Sequence, residues 1–256
     1  MDSIREFLRQ NELRLAGLLG ILGMVLGVIA DLASGYALEG TAEITTAFSV
    51  LSLENLSLFL ASKPPSQVVL GHYLAIIGIP LGLFGLWQVY RAIQPAGWAL
   101  SRGVWFLGVF GFVAGTVFHS TFAFVTFGVQ AASAVPPDQQ PALELMLDQF
   151  AVVFEPLALL LLAVMGAAFV LIFFAIAFRR THYPRWFALV NPLFVQMVTG
   201  IAALVAPVEL RVFLIVTAYN LSVLVFFAVS TTLLWNHAQF PAKETKEAGH
   251  QRPAQL

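Results

Sequence analysis

The chain contains no cysteine among its 256 residues. It therefore cannot form a disulfide bond, a thiolate-ligated iron–sulfur cluster or a cysteine nucleophile, and a metal site in it cannot use a thiolate ligand. The absence leaves the redox compartment open. It confines the available chemistry to histidine, carboxylate, amide and hydroxyl side chains.

Charged residues are also scarce, at 11% of the chain, whereas 59% of the residues are hydrophobic. In a soluble domain, about a quarter of all residues are charged. Apolar runs of about 20 residues recur along the chain, and this length crosses a bilayer core of about 30 Å. The net charge of −1 gives no reason to expect nucleic acid as a partner. The composition predicts an all-α integral membrane protein in contact with the lipid bilayer.

Six apolar segments form a single transmembrane domain over residues 1–237. The predicted spans are residues 14–38, 67–90, 102–130, 143–178, 186–205 and 210–235. A short interfacial helix is expected over residues 3–12, because its apolar residues share one helical face. We expect Pro156 to interrupt the fourth span after Glu155, and residues 238–256 to form a polar, disordered cytoplasmic tail.

Residues 41–62 are long enough to cross a membrane but poorly suited to it. They carry Glu43, Glu54 and Asn55 together with many serines and threonines. Such a segment makes a poor lipid-facing helix, since polar side chains are costly in hydrocarbon. We interpret it as an amphipathic or re-entrant segment on the outer side of the membrane.

The basic residues orient the predicted bundle. With six spans, 11 of the 13 Lys and Arg residues lie on one side. They are Arg5, Arg9, Arg14, Arg91, Arg102, Arg179, Arg180, Arg185, Lys243, Lys246 and Arg252. Basic residues accumulate on the cytoplasmic side of membrane proteins. Both termini are therefore predicted to be cytoplasmic, in a multi-pass protein of the cytoplasmic (inner or plasma) membrane.

A repeated pattern of small and ionisable residues marks two of the spans. Gly23 and Gly27 precede Asp31 by one turn, and Gly111 and Gly115 precede His119 in the same way. Glycines four residues apart allow the backbone of a neighbouring helix to come close. An ionisable side chain within a span is a functional-site hypothesis by default, because its burial in lipid is costly. Asp31 and His119 are thus expected to point into the bundle.

Three more polar side chains are predicted to lie at the same depth, in the outer part of the bundle: His72, Glu155 and Asn220. The estimate rests on a rise of 1.5 Å per residue and on the alternating direction of successive spans. We expect the set to form a pocket that opens to the outer side and holds a small or lipid-like molecule. Asp31 and Glu155 are the candidate acid–base residues, and Asn220 is the candidate orienting amide.

Two further polar residues, Asn191 and Gln196, lie in the inner half of the fifth span. We consider both as candidate contacts to a bound substrate. Asn191 directly precedes Pro192, and asparagine before the first helical residue is also a common N-cap. This residue is therefore assigned two alternative roles by the sequence.

The predicted pocket is compatible with four functions. His72 and His119 would suit a divalent metal such as zinc, and a metal or a carboxylate–imidazole pair would then support hydrolysis or isomerisation of a membrane-soluble substrate. The same two histidines would suit bis-histidine haem b. Acidic residues would suit proton- or cation-coupled transport. In the fourth reading the polar groups only neutralise one another, in an accessory subunit that contacts a membrane-protein partner or a second copy.

Overall fold

The computed structural model describes residues 2–36 and 60–236, with side chains from residue 11 onward in the first range. Within these ranges the chain is helical and has no β-strand. Its α-helices are α1 (Asp2–Gly35), α2 (Pro65–Ile93), α3 (Trp98–Ala134), α4 (Gln140–Phe178), α5 (Pro192–Val205) and α6 (Val208–Leu234). The predicted tail and all but the last residues of the predicted outer segment lie outside the described ranges.

Five of these helices, α1 to α4 and α6, are long and apolar enough to cross a membrane. They make the chain a multi-pass helical membrane protein. The segment predicted as the fifth span is different, because it divides into a 3-10 turn, Arg185–Val190, and the 14-residue helix α5. Asn191 has an extended ψ of 138°. The following proline disfavours the helical conformation at this residue, so that α5 begins only at Pro192.

Two local predictions were wrong. Residues 3–12 do not form a separate interfacial helix, because α1 runs without a break from Asp2 to Gly35. α4 likewise continues through Pro156 without the predicted interruption. A proline removes one backbone hydrogen bond and clashes with the preceding turn. In α4 the loss is tolerated because the helix packs along α3 on both sides of the proline, through Leu147 and Met165.

Neighbouring helices pack antiparallel, and contacts at the glycines show the register. Along α1, Gly20 meets Gly85 of α2 and Gly23 meets Gly78, so α2 runs opposite to α1. On its other side α1 packs against α6, where Gly27 contacts Asn220 and Gly35 contacts Val216. α2 also packs on α3, and α3 on α4. One end of the bundle thus holds the start of α1 and α3 and the end of α2, α4 and α6. We call it the basic end, and the opposite end the far end.

The glycine pairs of α1 and α3 have different functions in packing. A Cβ atom on Gly23 would lie 2.5 Å from the carbonyl oxygen of Gly78, which confirms close contact between the backbones of α1 and α2. The expectation of a similar backbone contact at α3 was wrong. Gly111 receives the flexible side chain of Met165, and the nearest atoms to a Cβ on Gly115 would be 3.7 Å away. Long side chains from α4 fill the space that a neighbouring backbone fills at α1.

Two groups of buried apolar side chains stabilise the bundle. The larger group, which includes Leu86, Phe112 and Phe226, fills the half nearer the basic end. The smaller group, which includes Val125 and Phe154, lies toward the far end. The polar residues of the candidate site lie between them. This arrangement places a layer of polar side chains between two apolar clusters.

Candidate functional site

Asp31 is the centre of the polar layer. It lies one turn before the end of α1 and is buried. Asn220 of α6 donates a hydrogen bond from Nδ2 to Asp31 Oδ2, over 2.8 Å. His119 of α3 approaches the other carboxylate oxygen, with Nε2 3.7 Å from Oδ1. Asp31, His119 and Asn220 therefore meet from three different helices, and we call them the polar triad.

The glycine pattern of α1 makes the meeting possible. A Cβ atom on Gly27 would lie 3.0–3.1 Å from the carboxamide atoms of Asn220, which is closer than an ordinary contact. Without a side chain at Gly27, the amide fits against α1 and reaches Asp31 one turn further along. A carboxylate only accepts hydrogen bonds, so the amide nitrogen of Asn220 must face it. Asn220 thereby fixes the position of the Asp31 carboxylate.

The distance between Asp31 and His119 leaves an opening in the triad. N–H···O hydrogen bonds measure 2.7–3.2 Å, and a separation of 3.7 Å exceeds this range. A polar contact of this length is often bridged by a water molecule or a hydroxyl group. Side-chain exposure is 9% for Asp31 and 18% for His119, so the gap is shielded but not sealed. One polar atom placed beside the pair would be able to hydrogen bond to both Asp31 Oδ1 and His119 Nε2.

His72 lies beside the triad on α2. Its neighbour Gly71 contacts Ala30 and Ser34 of α1, on either side of Asp31 in the sequence. The imidazole ring meets the edges of Tyr73 and Phe124, with ring centroids 5.3 and 6.2 Å apart. Its Nδ1 atom is buried without a hydrogen-bond partner among the described residues. A buried polar atom without a partner is rare and costly, and often marks a functional position.

Glu155 is at the same level on α4 and is half-buried. The preceding residue, Phe154, stacks on Phe118 of α3, with ring centroids 4.9 Å apart. Phe118 in turn directly precedes His119. Glu155 therefore stands on the helix next to His119, while the described hydrogen bond to the Asp31 carboxylate comes from Asn220.

The two other candidate residues are engaged elsewhere. Asn191 caps α5, since its side chain accepts a hydrogen bond from the backbone of Leu193 and donates one to the carbonyl of Phe169. The N-cap alternative for Asn191 is thus confirmed. Gln196 donates to the hydroxyl of Ser222 on α6. Neither residue is joined to the polar triad by these hydrogen bonds, and their predicted role in substrate contact is untested.

Within the described ranges, no group of three or more His, Asp or Glu side chains is arranged to hold a metal ion. A cavity in the bundle lies away from the triad, toward the basic end. Its lining is entirely apolar and includes Leu86, Phe112, Met165 and Phe226. The predicted metal ligands His72 and His119 lie close enough to interact electrostatically, and the described ranges hold no third ligand placed to complete a site.

Sequence reasoning missed a group of hydrogen bonds at the far end of the bundle, made by Lys63 and Gln130, which we call the clamp. Lys63 donates hydrogen bonds to the carbonyl oxygens of Leu32 and Ala33 at 3.4 Å, and to that of Tyr36. Gln130 of α3 donates to the carbonyl of Lys63 over 2.6 Å. The clamp satisfies carbonyls that every helix end leaves without partners, directly beyond Asp31. Its signal in the sequence was the isolated lysine before Pro64, on the side otherwise poor in basic residues.

A second network, near the basic end, was also missed. Gln88 donates to the carbonyl of Leu13 and accepts from the hydroxyls of Ser230 and Thr231. The phenol of Tyr183 lies 2.6 Å from the Ser230 hydroxyl. Because Ser230 donates its proton to Gln88, Tyr183 must be the donor to Ser230. These residues tie α1, α2, α6 and the segment after α4 together, and no spacing in the sequence links them.

Fold and site together define a helical multi-pass membrane protein with a carboxylate, an imidazole and a carboxamide gathered between two apolar clusters. The chain belongs to a family of unknown function, DUF6796, whose model matches residues 1–237. No match to the chain is found among curated proteins or among solved structures.

Proposed function

We propose that the polar triad and His72 bind the polar group of a small or lipid-like molecule and exchange a proton with it. The observation that carries the proposal is the gap of 3.7 Å between Asp31 Oδ1 and His119 Nε2. A hydroxyl group in this gap would hydrogen bond to both atoms. The carboxylate would accept its proton, and the imidazole would donate its own Nε2 proton to the same oxygen.

His72 supplies a second reason for a bound molecule. Its buried Nδ1 atom has no partner in the described part of the chain, and a ligand would provide one. The side chains around His72 also suggest a route of entry. Tyr73 and Phe124 touch its ring and are exposed on the outer surface of α2 and α3. A lipid-like molecule would reach the triad between these helices while its apolar part stays in the bilayer.

Acid–base chemistry is favoured over metal chemistry by the composition of the site. A catalytic zinc ion takes three protein ligands as a rule. The described residues offer no such group, whereas the carboxylate, imidazole and amide suit proton transfer and orientation directly. Glu155, on the neighbouring helix, is the second candidate acid–base residue.

We also propose six membrane crossings, with both termini in the cytoplasm and the triad in the outer half of the bilayer. The antiparallel contacts support this topology. α4 ends at the basic end and α6 begins at the far end, so residues 179–207 must connect the two. α5 is about 21 Å long at 1.5 Å per residue, and the 3-10 turn before it adds to this length. The basic residues favour an orientation with the basic end in the cytoplasm.

The test is retention of a bound molecule by the purified chain. Wild type, Asp31→Asn, His119→Gln and His72→Gln would be purified in mild detergent, extracted with organic solvent and compared by untargeted mass spectrometry. Thr126→Val is the matched control, because Thr126 is buried on α3 and its hydroxyl bonds only to its own helix in the structure. We expect one compound to be retained by wild type and the control, and to be depleted about tenfold or more in the three site variants.

An absorption spectrum and a metal analysis of the same sample distinguish the alternatives. A Soret band would establish haem, and a stoichiometric metal ion would establish the metal-dependent reading; either result contradicts the proposal. A stoichiometric protein partner without any retained compound would favour the accessory role. If all variants retained the compound equally, the triad would not be its binding site.

A further inference from the structure

The five tryptophans of the chain all lie near the basic end of the bundle. Trp87 is near the end of α2, Trp98 and Trp105 are in the first turns of α3, and Trp186 and Trp235 follow α4 and α6. Tryptophan is enriched where a membrane protein meets the lipid headgroups. In this chain, tryptophan therefore marks the membrane interface at the basic end and not the one at the far end.

Two of the arginines near these tryptophans are already engaged. Arg14 donates to the carbonyl of Trp235 and lies over its ring, and Arg91 donates to the carboxylate of Glu12 over 2.9 Å. Arg102 differs from both. It lies 4.3 Å from the centre of the Trp98 ring and has no carboxylate partner among the described residues.

Arg102 and Trp98 belong to a larger basic patch at the corner between α3 and α4. A Cβ on Gly103, next to Arg102, would lie 3.4 Å from Leu171 of α4. Because the two helices are antiparallel, the first turn of α3 lies level with the last turn of α4. Arg179 and Arg180 follow that turn and are exposed. We define the corner patch as Trp98, Arg102, Phe178, Arg179 and Arg180.

The patch is strongly unbalanced in charge. Of the side chains that the structure describes at the basic end, one is acidic, Glu12, and Arg91 binds it. The three arginines of the corner patch therefore face outward without a described counter-charge. Two large apolar side chains are exposed beside them, Trp98 at 69% and Phe178 at 65%.

We propose that the corner patch is a binding site for the phosphate headgroup of an anionic phospholipid in the leaflet at the basic end. The guanidinium groups suit phosphate oxygens, since each presents several donors in a fixed fork. Trp98 and Phe178 pack against the upper part of the acyl chains. Inorganic phosphate would use the arginines but would gain nothing from the exposed rings, so the combination, at an interface marked by tryptophan, favours a lipid.

The experiment is native mass spectrometry of the full chain in detergent. The protein is titrated with phosphatidylglycerol and, separately, with phosphatidylcholine of the same acyl chains. We expect wild type to bind the anionic lipid more tightly. Arg102→Gln, Arg179→Gln and Arg180→Gln combined should weaken that binding by about fivefold per removed charge. Phosphatidylcholine binding should weaken much less, because its choline cation cancels the charge of its phosphate. The corresponding triple lysine variant should keep most of the preference, because it keeps the charge.

A matched variant tests whether the effect belongs to the patch. Lys243→Gln, Lys246→Gln and Arg252→Gln remove the same total charge from the tail. The proposal is overturned if this variant loses the lipid preference as fully as the patch variant, or if wild type binds both lipids equally. It is also overturned if glycerophosphoglycerol, which has the headgroup without acyl chains, or a short oligonucleotide binds the patch as tightly as the lipid does.

Discussion

At the scale of single residues, the bond between Asp31 and Asn220 holds the candidate site in place. We expect Asn220→Leu to lower the free energy of unfolding by about 1–3 kcal/mol, because Asp31 then loses its described donor in the bundle interior. Adding Asp31→Leu should restore part of the loss, since removal of both partners leaves no unsatisfied group. Chemical unfolding in detergent, followed by circular dichroism, measures both changes.

Thr217→Val is the control for this pair. Thr217 is fully buried on α6, near Asn220, and its hydroxyl bonds to the carbonyl of Phe213 in the same helix. The substitution keeps the shape of the side chain and should cost less than Asn220→Leu. A loss of equal size would mean that α6 tolerates no change at this depth and that the pair has no special contribution.

Tyr183 gives a prediction on how stability depends on pH. It lies between α4 and α5, outside the long helices that cross the membrane. Burial raises the pKa of its phenol above the ordinary value of about 10, which keeps the group protonated in the folded protein. The unfolded chain loses this proton from about pH 10 upward, while the folded chain retains it. The contribution to stability is therefore complete below pH 10 and declines as the pH rises above it.

Tyr183→Phe should accordingly have two effects. At neutral pH it removes the donor to Ser230 and should lower the free energy of unfolding by about 0.5–1.5 kcal/mol. Above about pH 10 the decline in stability should be less steep than in wild type. Thermal unfolding at a series of pH values measures both, and parallel curves for the two proteins would contradict the assignment.

The candidate residues could be predicted in part from the sequence. Counting residues along antiparallel spans was enough to group Asp31, His119 and Asn220, because depth follows directly from helix rise. Which atoms meet could not be predicted, since it depends on the rotation of each helix. Gln88 and Ser230 illustrate the limit: they are 142 positions apart, and only the packing of α2 on α6 and α1 brings them together.

At the scale of helices, the contact between α1 and α2 requires glycine at particular positions. Gly23→Ala should destabilise the protein by about 1–3 kcal/mol, because its Cβ would meet backbone atoms of Gly78, which cannot move independently. Gly111→Ala should cost less, since the obstructing Met165 side chain is flexible. Thermal unfolding midpoints in detergent would order the variants.

Gly166 supplies the control on a comparable apolar helix. No atom lies within 4 Å of a Cβ built on it, so Gly166→Ala should leave the midpoint unchanged or raise it slightly. If Gly23→Ala were as harmless as Gly166→Ala, the close contact between α1 and α2 would not contribute to stability.

Helix boundaries were harder to predict where proline was involved. Hydropathy located the long helices well, because about 20 apolar residues are needed to cross the bilayer. Pro156 and Pro192 look similar in the sequence, yet one lies within α4 and the other begins α5. The difference is that α4 packs along α3 on both sides of its proline, whereas Asn191 caps a new helix. The residues next to each proline do not reveal whether a neighbouring helix will stabilise a continuous helix there.

At the scale of the whole molecule, the absence of cysteine permits a direct test of the proposed six crossings. Single cysteines would be introduced as Asp138→Cys between α3 and α4, Arg180→Cys after α4, and Val208→Cys at the start of α6. Each is exposed in the structure, and the parent chain gives no background labelling because it has no thiol. The reagent is a membrane-impermeant maleimide, applied to intact cells.

We expect Cys at positions 138 and 208 to be labelled from outside, and at position 180 only after the membrane is permeabilised. The reason is that α4 and the 179–207 segment each lead from one end of the bundle to the other. If the 14-residue helix α5 did not cross, position 208 would behave like position 180. Labelling of position 180 alone on intact cells would instead reverse the orientation inferred from the basic residues. In that case the polar triad would face the cytoplasmic leaflet, and the corner patch would lie against the outer one.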